Sequence, residues 1–202
     1  IEKKISKKFL LHLNQKNRLT DNASWLTLSY ADAGITYRLT ENIRVMADYV
    51  FAQKRNNSGY FNTRHRFYTA LIIKKDLRRW RLSYRNLLQV SYTNPFTSEE
   101  GYIPRFYDRN KIMLRYETSK RFLFYVSEEM YFPLNSPAVR GPDRSSSTVG
   151  MLLNVTKNQQ VELYFMYRQQ LLKNNWYEQK DYFPNYMLNR YFIYGIGYTI
   201  SL

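Results

Sequence analysis

The chain has 202 residues, with 31 Lys and Arg against 16 Asp and Glu, giving a formal net charge of +15. Aromatic residues make up 17% of it, too many for a disordered basic tail, and no apolar run approaches the ~18 residues of a membrane-spanning helix. Cysteine is absent, which removes disulfide scaffolds, thiolate metal sites and cysteine nucleophiles, and the length predicts one domain over residues 1–202.

The opening Ile1–Lys8 stretch lacks the apolar core of a signal peptide, which says nothing about compartment if the numbering starts after processing. From there the chain alternates with period two, the signature of strands with two unlike faces. A first strand is predicted from about Ile5 to Arg18, with Ile5, Phe9, Leu11 and Leu13 opposite Lys8, His12, Asn14, Lys16 and Arg18. Ser24–Leu39 changes phase near Tyr30, which predicts a bulge. Val45, Tyr49 and Phe51 then oppose Arg44 and Asp48, and Phe67, Leu71 and Ile73 oppose Arg64, Arg66 and Lys74. Between Arg79 and Thr93, Trp80, Leu82, Tyr84, Leu88, Val90 and Tyr92 oppose Arg81 and Arg85, with Asn86 an exception on the apolar side. Ile112, Leu114 and Tyr116 oppose Arg109, Lys111, Arg115 and Glu117. In Arg121–Phe132, the Glu128-Glu129 pair puts one carboxylate on the wrong face or beside a loop. Val149, Met151 and Leu153 face away from Thr148 and Gly150, and Val161, Leu163, Phe165 and Tyr167 away from Glu162 and Arg168. A last strand alternates Phe192, Tyr194, Ile196, Tyr198 and Ile200 with Gly195, Gly197 and Thr199.

About ten such strands are expected, longer than the usual globular five or six residues and suited to the nine to eleven that a tilted strand needs to cross a bilayer. Links at Thr40–Asn42, Lys75–Arg78, Thr118–Lys120 and Thr156–Gln159 are short. Those at Gln53–Asn62, Asn94–Tyr107, Pro133–Ser145 and Leu172–Leu188 are long, and only Leu19–Ala23 is brief among this second set. Short turns at one rim and long loops at the other are the arrangement of outer-membrane barrels. Rings fall near both strand ends, among them Tyr37, Trp80 and Tyr116 at one and Phe51, Tyr92 and Phe192 at the other, as interfacial belts require. A water-soluble barrel would have to bury the same apolar face in its middle; the inside-out reading needs no such filling. The fold class is therefore all-β, a single closed antiparallel up-and-down transmembrane barrel with short periplasmic turns, longer extracellular loops and both termini periplasmic.

The closing Tyr194-Gly195-Ile196-Gly197-Tyr198-Thr199-Ile200-Ser201-Leu202 resembles the C-terminal strand by which outer-membrane barrels are recognised for assembly, with Leu202 where Phe is commonest. Through it, and through Ala33-Gly34-Ile35-Thr36-Tyr37-Arg38-Leu39 and Arg64-His65-Arg66-Phe67, the chain resembles a family of small bacterial outer-membrane barrels of unknown function. The resemblance implies a Gram-negative outer membrane and supplies no catalytic residues.

Chemistry is then sought inside. Arg44, Arg64, Arg66, Arg81, Arg85, Arg109, Lys111, Arg115 and Arg168 are predicted to line the lumen, opposed by Asp48, Glu117 and Glu162, with Asp32 and Glu129 as further candidates. One reading is a plug, the basic side chains pairing with the few acids and Tyr hydroxyls; the other is a narrow anion-preferring pore. An outer-membrane hydrolase is a further class, but only His12 and His65 are available as imidazole bases and no Ser-centred motif accompanies them. Neither a reaction, a metal nor a cofactor is assigned. Loop rings (Phe96, Tyr102, Phe106, Tyr107, Trp176, Tyr177, Tyr182, Phe183, Tyr186) suit a partner or a lid, and the loop acids Glu99, Glu100, Asp108, Asp143, Glu178 and Asp181 are ordinary in solvated loops. Expected partners are outer-membrane lipid and lipopolysaccharide, with Lys3, Lys4 and Lys7 at the periplasmic edge and loop Arg and Lys meeting membrane-lipid phosphates, and other outer-membrane or periplasmic proteins. Nucleic acid is not expected, because the cations sit inward on separate strands. A structural or accessory role in a membrane assembly is the leading expectation, ahead of the pore and the hydrolase.

Overall fold

The structure, a computed structural model, describes residues 1–20, 23–56, 58–93, 104–135, 141–171 and 190–202. Period-two patterning becomes eleven strands, each antiparallel to its sequence neighbour: β1 (Glu2–Lys4), β2 (Phe9–Thr20), β3 (Trp25–Arg38), β4 (Ile43–Arg55), β5 (Phe61–Leu77), β6 (Trp80–Thr93), β7 (Arg105–Glu117), β8 (Phe122–Pro133), β9 (Arg144–Asn154), β10 (Gln159–Gln170) and β11 (Arg190–Ile200). Ten of these are long, between 11 and 17 residues, enough to cross a bilayer at a tilt.

The expected first strand begins later, at Phe9, and an additional short strand precedes it. Ser6 Oγ accepts the N–H groups of Lys8 (3.2 Å) and Phe9 (3.1 Å), and the resulting turn folds Glu2–Lys4 back as β1 against Leu10–His12. Hydroxyls repeat this device along the same rim. Thr40 Oγ1 accepts from Ile43 N–H (3.0 Å), Ser119 Oγ from Phe122 N–H (3.2 Å) and Thr156 Oγ1 from Asn158 N–H (3.3 Å). Each supplies a local acceptor that ends a strand and starts the next. β5 and β6 instead meet through Arg78-Arg79, with Arg78 in the left-handed region at φ 54°. The bulge lies nearer the opposite rim than the phase change predicted. Register slips between Arg18 and Leu19, leaving Thr27 as the extra residue, and its hydroxyl donates to the Arg18 carbonyl at 3.1 Å.

The barrel is nearly closed. β1 wedges between β2 and β11, bridging Glu2 to Ser201, and Leu202 N–H donates to the Glu2 carbonyl at 2.7 Å. Beyond β1, among the described residues, β2 and β11 share no backbone hydrogen bond. Side chains span this seam on the inner side. Lys16 Nζ stands 5.7 Å from the Tyr164 ring centre, and that ring lies so close over Gly195 that a Cβ there would meet it at 2.1 Å.

The apolar faces point outward. Phe67, Ile112, Val149 and Ile196 are half or more exposed, while Thr36, Ser127, Glu129, Ser146 and Thr148 are buried inside. A few small or aliphatic side chains, Val50, Ala52, Ala70, Leu87 and Leu152, share the interior. Outward rings pair across strands near each rim, Phe9 with Tyr37 (4.8 Å) and Trp80 with Tyr116 (4.5 Å) at the short turns, Tyr49 with Phe67 (5.3 Å) and Tyr167 with Phe192 (5.3 Å) toward the long loops.

Candidate functional site: a basic lumen and a polar island on the outer wall

Strand alternation places Arg44, Arg64, Arg66, Arg81, Arg85, Arg109, Lys111, Arg115 and Arg168 on the inner face, together with Asp48, Glu117 and Glu162. They do not form one uniform lining. Around Glu129 on β8, Arg85 Nη2 donates to its Oε1 at 2.7 Å and Arg109 Nη2 at 3.0 Å, while the Tyr131 hydroxyl donates to Oε2 at 3.0 Å. Arg109 also reaches Gln89 Oε1 (3.0 Å) and lies 4.5 Å over the Tyr131 ring. Arg144 and Arg168 approach the same ring at 5.2 and 5.9 Å, and Arg168 Nε donates to Ser146 Oγ at 3.0 Å. Tyr131 is thus the hub of three guanidinium groups, each attracted by the negative ring face. Nothing in the alternation singles it out from the other tyrosines.

A second group lies on β2–β4, where His12 Nε2 is 3.1 Å from Asp48 and 3.8 Å from Asp32, and Asn14 Nδ2 donates to Asp32 at 2.6 Å. Gly34 admits this cluster, since a Cβ there would lie 1.7 Å from Asp48 Oδ1. His12 is accordingly a lumen hydrogen-bonder. Glu162 takes the Tyr125 hydroxyl at 2.5 Å rather than a cation, and Glu117 sits exposed at the short-turn end of β7. Arg66 donates weakly to the Tyr68 hydroxyl at 3.5 Å.

Several expected loop residues belong to strands. Phe106 and Asp108 are on the outer face of β7, and Tyr107 on the inner face, where its hydroxyl donates to the buried Asp143 at 3.1 Å. Phe96, Tyr102, Trp176, Tyr177, Tyr182, Phe183 and Tyr186, and Glu99, Glu100, Glu178 and Asp181, lie outside the described residues.

Extending those strands exposes a feature that alternation alone had left as an isolated exception. Asn86 Nδ2 donates to Asp108 Oδ1 (2.6 Å) and to Asn110 Oδ1 (3.2 Å); Asn110 Nδ2 donates to Asp108 Oδ2 (2.8 Å), and the Tyr84 hydroxyl to Asn110 Oδ1. All four point outward. Beside them Glu128, between Ile112 and Ser147 in the ladder, also points outward, as the Glu128-Glu129 pair required of one member. On the same face Leu88, Val90, Phe106 and Met130 lie toward the long loops, and Leu82, Leu114 and Val126 toward the short turns. The polar residues are an island in an apolar wall. Next to it the outer wall of β6–β11 carries a shallow, open apolar depression lined by Leu114, Phe124, Val126, Val149, Phe165 and Ile196 among others. His65 is outward too, its Nδ1 hydrogen-bonded to the Tyr49 hydroxyl at 2.7 Å, so its neighbours Arg64 and Arg66 point the opposite way.

A family model described as "Protein of unknown function (DUF2490)" matches residues 1–179. The chain belongs to the DUF2490 family. No curated protein matches it in sequence. Among solved structures it is similar to a "Bacterial polysaccharide outer membrane secretin", with a TM-score of 0.54 at 9% identity over 96% of this chain. The DUF2490 chain spans 64% of that protein's length, and at this identity the likeness is one of fold.

Proposed function

We propose that this DUF2490 barrel resides in a Gram-negative outer membrane, both termini periplasmic, as an accessory component of a membrane assembly without a reaction of its own. The island on β6–β9 carries the reading. Hydrocarbon offers Asn86, Asp108, Asn110 and Glu128 no hydrogen bonds, and ionised groups facing lipid are destabilising. Opposite a second membrane-embedded protein wall, the same groups supply interhelical-type polar adhesion transferred to a sheet surface. Their neighbouring depression supplies the apolar contact area. The outer-membrane name of the structural neighbour supports the location, and the hydrogen-bonded lattice around Glu129 supports a lumen filled by side chains over its middle.

The test is site-specific photocrosslinking in cells. A crosslinker at Ser147 is expected to trap one discrete protein product, one at Val45 on the opposite wall none, and Glu128→Leu to abolish the Ser147 product. Crosslinks to lipid alone from both positions would sink the reading. A narrow anion-preferring pore is the second reading, favoured by Lys74, Lys111 and Arg115 toward the short-turn end, which form no ion pair among the described residues. Chloride-selective steps in planar bilayers that disappear with Arg85→Glu would establish it, whereas silence under voltage fits the accessory role.

A further inference from the structure

Toward the short-turn rim, the inner faces of β5, β6 and β7 place like charges directly opposite one another. Arg81 faces Arg115, and Arg85 faces Lys111, with Ser83 and Met113 between the two pairs. Lys74, opposite Ser83, completes a group of five cations. Like charges across a ladder repel, and burial strengthens the repulsion, so sequence and fold together create an arrangement with more positive than negative charge.

Among the described residues two carboxylates form ion pairs with this group, each already engaged. Asp76 binds Arg81, and Glu129 is shared between Arg85 and Arg109. Among the described residues no carboxylate forms an ion pair with Lys74, Lys111 or Arg115, and the Nε atoms of Arg85 and Arg115 are buried without a hydrogen-bond partner. Among the described residues Arg115 Nη2 meets Met113 Sδ, at 3.9 Å. Between these side chains lies a cavity of about 190 Å³, lined by Lys74, Arg81, Ser83, Arg85, Lys111 and Arg115 together with Ile72 and Met113. That is far more than the ~10–15 Å³ that admits one water.

We infer that this cavity is a binding site for a phosphate group, held by Arg81, Arg85 and Arg115 with Lys74 and Lys111 completing the charge. A tetrahedral oxyanion of charge near −2 offers guanidinium forks paired oxygens and gives the two ammonium groups point-charge partners, which a single halide ion does not. Ser83 adds a hydroxyl donor. The site stands apart from the outer-wall island, so its fate does not depend on the accessory role; it needs only a lumen that water enters from the short-turn end.

The full chain, folded in detergent, is titrated with inorganic phosphate and separately with glucose 6-phosphate, against sodium chloride of equal ionic strength, reading the thermal unfolding midpoint and 31P line width. Saturable stabilisation by inorganic phosphate supports a free-ion site, and stabilisation by the sugar phosphate alone supports a site for a phosphorylated carbohydrate. Arg115→Gln and Lys111→Gln are each expected to weaken the response at least tenfold, while Arg168→Gln, farther up the lumen, leaves it unchanged. Equal effects of phosphate compounds and chloride on the unaltered protein overturn the site, and so does a fully retained response in folded Arg115→Gln.

Discussion

Glu129 shows how one side chain organises the filled part of the lumen. It is 7% exposed and receives two guanidinium groups and a tyrosine hydroxyl. Removing its charge leaves Arg85 and Arg109 facing each other in a confined space, and breaking a buried pair in this way costs more than the pair itself contributes. Glu129→Gln is therefore expected to lose about 3 kcal/mol in equilibrium urea unfolding from lipid vesicles. Glu162→Gln, which loses only a tyrosine's hydrogen bond, should cost about 1 kcal/mol in the same assay. Equal losses would mean that Glu129 acts as a plain hydrogen-bond acceptor. The sequence placed Glu129 no more firmly than as a candidate, because alternation says which of two neighbouring carboxylates goes in only once the strand's phase is fixed by Tyr125, Ser127 and Tyr131.

At the scale of strands, β7 and β8 differ among the described residues in carrying carboxylates, Asp108 and Glu128, on an outer face that is apolar toward both rims, whereas the outward hydrogen-bonding group of β2 and β3, Gln15 with Asn17 and Ser29, is uncharged. Row after row, the same ladder that aligns Leu82 with Leu114 and Val126 also aligns Asn86 with Asn110. The fold positions the island but does not require it. Glu128→Leu should thus raise the stability of the isolated barrel in vesicles by about 1 to 2 kcal/mol, through relief of a lipid-facing charge. A destabilised Glu128→Leu would show that the carboxylate serves the barrel itself and not a partner. Asn86 and Glu128 were visible as irregularities in the pattern. Asp108 is not visible in this way, because the sequence alone predicts it in the loop ahead of its strand.

For the whole molecule, closure rests on a small contact. β1 contributes three residues and a single bridge to β11, whereas every junction from β2 through to β11 is a long antiparallel ladder. A sheet edge in hydrocarbon has backbone groups with no partner, so the seam is where the barrel is weakest. Deleting Glu2–Lys4 removes the wedge. The shortened barrel is expected to lose its compact, heat-sensitive migration in mild detergent gels at a temperature at least 10 °C below that of the full chain. Unchanged migration would indicate that β2 and β11 pair directly once β1 is gone.

Period-two alternation by itself determined the all-β class, the outward apolar wall, the inward cations and the four short turns expected at one rim, because each is a local property of residues two apart and of the short polar links at strand ends. It also carried His12 into the lumen and one of Glu128 and Glu129 to the outside. Tertiary structure decided the rest: that Tyr131 gathers three arginines, that Arg81 meets Arg115 and Arg85 meets Lys111, that four polar residues from β6 and β7 join on one wall, and that β1 folds back into the seam. All of these depend on register between strands. Register is set by turn geometry and by packing across the sheet, neither of which is written in the spacing of residues along a single strand.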